Sequence, residues 1–158
     1  MKPDNPRVLI EKYNLLKEKY ELPEFSAINK IFDVEEINVK TNLLLKKIRE
    51  IIGEKISEYS RFLEIIINPS NAPMFFFRII KKLDKEDRDY LLKIYEKLGY
   101  FELKIVSLDI DYEEKREAEF IKETYIFFED IKKDLKNIIE KLNSSDKSSE
   151  KTNGSYLG

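Results

Sequence analysis

Apolar residues recur every three or four positions along most of the chain, the spacing of a helix face rather than of a strand. Val8, Leu9, Tyr13, Leu16 and Tyr20 form the first such run. Asn5-Pro6 opens it as N-cap and first-turn proline, and Leu22-Pro23 closes it, which predicts a helix over about 6–20. Phe25, Ile28 and Phe32 share one face of a short second helix, from Pro23 or Ser26 to Phe32. Asp33-Val34-Glu35-Glu36 has the form of a capping box. The stripe Val34, Ile37, Leu44, Ile48, Ile51/Ile52, Ile56, Tyr59, Phe62/Leu63 and Ile66 then predicts one long helix, stopped by Asn68-Pro69 and Pro73. Gly53 weakens this helix by about 1 kcal/mol relative to Ala without breaking it.

Met74-Phe75-Phe76-Phe77-Arg78-Ile79-Ile80 begins a further helix, to about Leu83. Asp84-Lys85-Glu86-Asp87 caps the next, which carries Tyr90, Leu91, Ile94, Tyr95 and Leu98, with Gly99 as a natural C-terminal cap. Residues 100–111 fit two patterns. As a strand, Phe101, Leu103 and Ile105 alternate, followed by Val106, Leu108 and Ile110. As a helix, Leu98, Phe101, Ile105 and Leu108 form one stripe and Leu103, Val106 and Ile110 a second. A lone strand has nothing to pair with, so a buried helix is preferred. Asp111-Tyr112-Glu113-Glu114 reads as another capping box. The last helix follows on Ala118, Ile121, Tyr125, Phe128, Leu135, Ile138/Ile139 and Leu142, with Phe120, Phe127 and Ile131 widening the stripe. The expected architecture is all-α: a bundle of five to six helices in one domain, 1–142, with two long helices as its spine and a disordered tail, 143–158, that is polar and aperiodic.

Leu22-Pro23-Glu24-Phe25 through Ile28-Asn29, then Phe32-Asp33, a long helix ending at Asn68-Pro69, and the later Glu117-Ala118-Glu119-Phe120-Ile121 resemble a small archaeal all-helical family with no assigned function. The resemblance covers about residues 7–142. It implies helix rather than strand at 100–110 and brings no catalytic residues.

The two spine helices raise a question of length. At about 1.5 Å per residue, a helix over 34–67 is about 50 Å long and one over 112–142 about 45 Å. A compact domain of this size is only roughly 37 Å across. Either such a helix kinks, for which Gly53 is the natural place, or another chain covers its end. Charge bears on the same point. Residues 40–61 hold six bases against three acids, and residues 109–130 hold nine acids against three bases. Opposed fields of this kind fix which helix pairs with which, within one chain or between two in the manner of a coiled coil.

Composition narrows the chemistry. The 158 residues include 29 bases and 31 acids, and His, Cys and Trp are absent. Histidine-dependent triads, zinc fingers, disulfide frameworks and di-iron sites built on Glu-x-x-His are therefore excluded. No phosphate-binding glycine motif and no G-x-S-x-G elbow occurs among the four glycines. The polar start Met1-Lys2-Pro3-Asp4-Asn5-Pro6 argues against a signal peptide, and no apolar run is long enough to span a membrane. A cytoplasmic location is expected.

Carboxylates remain the one plausible set of metal ligands. Glu113, Glu114 and Glu117 match the first half of the Glu-Glu-x-x-Glu cluster with which all-helical nucleotide pyrophosphatases hold Mg²⁺, but the second half is missing, since Asn143 follows Glu140 where an Asp is needed. The simpler reading places these acids, like Asp84 to Asp89, at the positive N-terminus of a helix. Lys46, Lys47 and Arg49, with Lys55, lie on one helix that could enter a nucleic-acid groove. Arg49 sits beside Glu50 and Glu54, so a solvated face is preferred, and a near-neutral chain ranks nucleic acid low as a partner.

Met74, Phe75, Phe76 and Phe77 are the sharpest local feature. Three consecutive Phe span about 200° of a helix, so one amphipathic face cannot bury all of them. They are the interface candidates. The expected function is thus non-enzymatic: a helical protein-interaction module that self-associates, with a homodimer expected, no cofactor, no catalytic residue and no membrane partner. A Mg²⁺-dependent nucleotide hydrolase and a nucleic-acid-associated factor are the alternatives.

Overall fold

A computed structural model describes residues 6–153, including the side chains of all of these except 71 and 145–153. The fold is all-α. Among the described residues there are six α-helices and no strand: α1 (Pro6–Tyr20), α2 (Phe25–Phe32), α3 (Leu44–Ile67), α4 (Met74–Ile80), α5 (Lys85–Ile110) and α6 (Glu114–Asn153), with one short 3₁₀ turn at Pro69–Asn71.

The ends of the short helices follow from local chemistry. α1 begins at Pro6 as the proline signal requires, while its Asn5 cap lies outside the described residues. It stops because Glu21 turns left-handed (φ 55°) and the Leu22 N–H reaches back to the Lys17 carbonyl at 3.1 Å. α2 ends the same way. Asp33 is left-handed, and its N–H bonds the Asn29 carbonyl. Asp33 is therefore a C-terminal cap and does not open a capping box.

That reversal shortens the predicted spine. Residues 34–43 are turns, and α3 starts at Leu44, so it is about 36 Å long and not about 50 Å. Asn38 Oδ1 accepts from the Lys40 N–H, and Thr41 Oγ1 accepts from the Leu43 N–H. Such side-chain bonds offer the backbone an alternative to the helix ladder. Val34 and Val39 are still buried, from loop positions.

Gly99 does not end a helix. α5 runs through it, and 100–110 is helical as preferred. A Cβ at Gly99 would meet nothing within 4 Å, and its φ is not positive. Gly99→Ala is thus expected to raise unfolding stability by up to about 1 kcal/mol, read from urea denaturation at low protein concentration. Gly53 has a packing role inside the continuous α3, where a Cβ would come 3.2 Å from Ile105 Cδ1 of α5. At the start of α5 the predicted cap is present, with the Asp87 N–H donating to Asp84 Oδ1 at 2.8 Å. α6 starts at Glu114, two residues later than predicted. It passes the expected end at Leu142 and continues to Asn153; neither Gly nor Pro occurs between 143 and 153, and Gly154 is the first breaker. The last five positions of the expected tail, 154–158, lie outside the described residues.

Residues expected to form one domain, 1–142, fall into two compact units. Unit 1 holds residues 1–58 and 99–129, with α1, α2, the first part of α3, the last part of α5 and the first part of α6. Leu9, Tyr13, Ile28, Ile52, Phe101 and Phe120 are buried there. Unit 2 holds the remaining parts of α3, α5 and α6 together with α4. Leu63, Ile80, Leu91, Leu98, Ile131 and Ile138 are buried in it.

Candidate functional site

In unit 1 the opposed charges of 40–61 and 109–130 meet at Arg49. Arg49 lies on the apolar stripe of α3, in step with Leu45, Ile52 and Ile56, and is 1% exposed. Its Nε and Nη2 donate to the two oxygens of Glu117 at 2.8 and 3.1 Å, and its Nη1 donates to Asp109 Oδ1 at 2.7 Å. Glu117 is 0% exposed and occupies the buried stripe of α6. Burial opposes the charge on Arg49, but the hydrogen bonds from Glu117 and Asp109 outweigh it and raise its pKa. The expected solvated face is corrected at this position: Arg49 is a core ion-pair residue and is turned away from any groove-binding role. Lys47 is exposed and pairs with Glu50 one turn on, and Lys46 is half-buried.

The three acids proposed as metal ligands are not brought together. Glu117 is committed to Arg49. Glu114 accepts from the Tyr20 hydroxyl at 2.7 Å and from Lys19 Nζ at 3.1 Å. The Tyr20 bond, and then Lys19, hold its pKa below the usual carboxylate range. Glu113 is exposed, and its carbonyl takes the first α6 backbone bond from Glu117 N–H. Among the described residues no group of three or more acidic side chains is placed to hold a metal ion. Lys55, on the same helix as Arg49, donates to the Ile31 carbonyl near the end of α2 and lies over the Phe32 and Phe128 rings. Burial lowers its pKa.

One face of α5 in unit 1 is apolar and uncovered. Leu103 is 73% exposed, Val106 55% and Ile110 81%. Gly99 precedes them, so positions 99, 103, 106 and 110 follow the alternating steps of four and three that define a heptad seam. Phe101 and Leu108, on another side of the same helix, are buried. The charges beside the seam are paired: Asp109 accepts from Arg49, Lys104 pairs with Glu123, and Arg116 donates to the Ser107 hydroxyl at 2.8 Å and lies 4.0 Å from Asp111.

Unit 2 carries a different apolar surface. The four interface candidates lie on α4. Met74 is 81% exposed and Phe75 48%, while Phe76 and Phe77 are half-buried, so none of the three Phe is fully buried. Phe75 and Phe76 pack edge to face at 5.7 Å and, with Phe62, Ile66, Ile139 and Leu142, line an open groove of about 320 Å³. Arg78, Lys81 and Lys82 lie on or just after α4, and no acid occurs between residues 65 and 83.

Unit 2 also has a polar cleft of about 310 Å³ beside Tyr90, Asp134 and Lys141. Lys141 donates to Asp87 at 2.7 Å and lies 3.5 Å from Asp84. Asp84 is held below the usual carboxylate range, first by the Asp87 backbone N–H. This acidic cluster is thus a helix cap with an attached lysine.

No helix among the described residues is long and apolar enough to cross a membrane. The chain matches no known protein family, no curated protein and no solved structure.

Proposed function

We propose that this protein is a non-enzymatic helical interaction module that self-associates, and that the α5 seam Leu103–Val106–Ile110 is the surface it uses. The observation that supports this reading is the exposure of three aliphatic side chains at heptad spacing on a helix whose Phe101 and Leu108 are already buried. A seam with this period fits the side of another helix. Magnitudes set the strength of the contact. Burying three such side chains contributes about 5–9 kcal/mol at 1.5–3 kcal/mol each, against an association cost of about 4–15 kcal/mol. Association through so short a seam is therefore weak and concentration-dependent. It suits reversible assembly and does not suit an obligate complex.

Leu103→Glu tests the reading. Leu103 lies at the surface, so the variant is expected to keep its melting temperature, within about 0.5 kcal/mol of stability. It should remain at the monomer mass at concentrations where the wild type has begun to associate, as measured by light scattering. Equal masses for variant and wild type at every concentration would reject the seam as the contact.

A further inference from the structure

The exposed side of α4 combines apolar and basic residues. Met74, Phe75, Arg78, Lys81 and Lys82 are all exposed, with Lys81 and Lys82 in the turn that ends the helix. Their positions i, i+1, i+4, i+7 and i+8 gather them within about 120° of one helical face. Ile80 and Leu83, on the other side, are buried. We propose that this stripe docks on an anionic lipid surface, with Met74 and Phe75 dipping below the headgroups and Arg78, Lys81 and Lys82 among them. The proposal concerns unit 2 alone and is independent of the α5 seam.

The segment that leads to the stripe suits such a surface. Residues 65–77 are uncharged throughout, in a chain of which 38% is charged. Asn68, Ser70 and Pro73 are exposed members of that segment ahead of Met74. This stretch therefore approaches hydrocarbon without burying a charge, which is the costly step. The acids that open α5 are drawn elsewhere. Asp84 and Asp87 are bonded by Lys141, and Glu86 lines the polar cleft beside it. Asp89 is exposed further along α5, next to Arg88.

The mixture of residues distinguishes lipid from other occupants. Nucleic acid offers phosphate for the bases but no apolar layer for Met74 and Phe75. The seam of a second copy offers apolar side chains, but Asp109, Asp111 and Glu123 beside it already have Arg49, Arg116 and Lys104 as partners. An anionic bilayer presents charge and hydrocarbon side by side. A few apolar side chains or a few bases alone bind a membrane weakly, and the two signals add on one surface. Docking of this kind needs no spanning helix. It departs from the expectation of no membrane partner, which rested on the lack of an apolar run long enough to span.

The absence of Trp provides a direct test. Met74→Trp puts a lone reporter at an exposed position. Its emission is expected to shift to shorter wavelength with vesicles of phosphatidylcholine mixed with phosphatidylserine, and to stay unchanged with phosphatidylcholine alone. Leu15→Trp, exposed on α1 in unit 1, should shift with neither. In sedimentation with the mixed vesicles, Lys81→Gln should weaken binding about fivefold and Phe75→Ser about tenfold. Lys30→Gln, the same charge change at an exposed position of α2, should leave it unaltered. Added salt should weaken binding further, because it screens exposed charges. The inference is overturned if Met74→Trp does not shift with the mixed vesicles, if both vesicle types bind equally, or if Lys81→Gln binds as the wild type does. It is overturned as well if polyglutamate shifts the reporter and vesicles do not, which would assign the stripe to an acidic protein surface. Self-association through the α5 seam is read without lipid, so its failure and the failure of this inference are separate results.

Discussion

Replacing Arg49 by Leu is expected to lower unfolding stability by about 3–5 kcal/mol, the usual cost of removing one partner from a buried ion pair. At about 2–4 °C per kcal/mol for a chain of this size, the melting temperature should fall by on the order of 10 °C. The reason is what remains behind. Glu117 is fully buried and receives both its Arg49 bonds from the guanidinium. Without them a carboxylate stays in the core, and desolvation strongly disfavours its charge. Asp109 suffers less, since its side chain is 56% exposed and is rehydrated. The double variant Arg49→Leu/Glu117→Leu should therefore recover most of the loss, because an apolar pair of similar size in place of a buried ion pair is often neutral or stabilising. The four proteins form a cycle whose coupling energy is read directly from chemical denaturation. A loss below about 1 kcal/mol in the single variant would mean that Glu117 is not buried.

Phe101→Ala is expected to be the most damaging of the hydrophobic truncations considered, at about 3–5 kcal/mol. Phe101 is fully buried, with Phe127 edge-on at 5.3 Å and Phe120 at 5.9 Å. Truncation removes the transfer energy of the ring and leaves a cavity between two neighbours that are themselves held by packing. Phe75→Ala is the control of the same chemistry. Phe75 is half-exposed, and its truncation should cost less than about 1 kcal/mol. The two melting curves distinguish a Phe that holds unit 1 together from one that lines a surface.

Helical spacing made most of the architecture legible, because each helix must bury one face and the apolar residues record which. The failures have local causes. Residues 34–43 carry Val34 and Ile37 at helical spacing, but the short side chains of Asn38 and Thr41 capture backbone N–H groups and unwind the segment. Gly99 was expected to end a helix, yet glycine only permits the left-handed turn and does not require it. Glu50 and Glu54 point to a solvated face for Arg49, although its register with Leu45 and Ile52 puts it on the buried stripe. Glu117 shows the same register with Ile121 and Thr124. A base and an acid, each falling on the apolar stripe of its own helix, are the signal that would have found this pair.

The candidate site was only half legible. The Met74–Phe77 run stood out because no helix can bury all three rings. Leu103, Val106 and Ile110 read as a second stripe of one helix, which predicts that they are buried. A stripe is a demand for cover, and the sequence of one chain does not show whether that chain meets the demand. Among the described residues of unit 1 nothing covers it, which is why the seam becomes the centre of the functional reading.

Sedimentation equilibrium of the wild-type chain tests that reading most directly. From about 10 μM to about 1 mM, a range suited to a weak contact, the mean mass should climb from 18.9 kDa toward twice that value. A mass fixed at 18.9 kDa across the whole range would contradict the account.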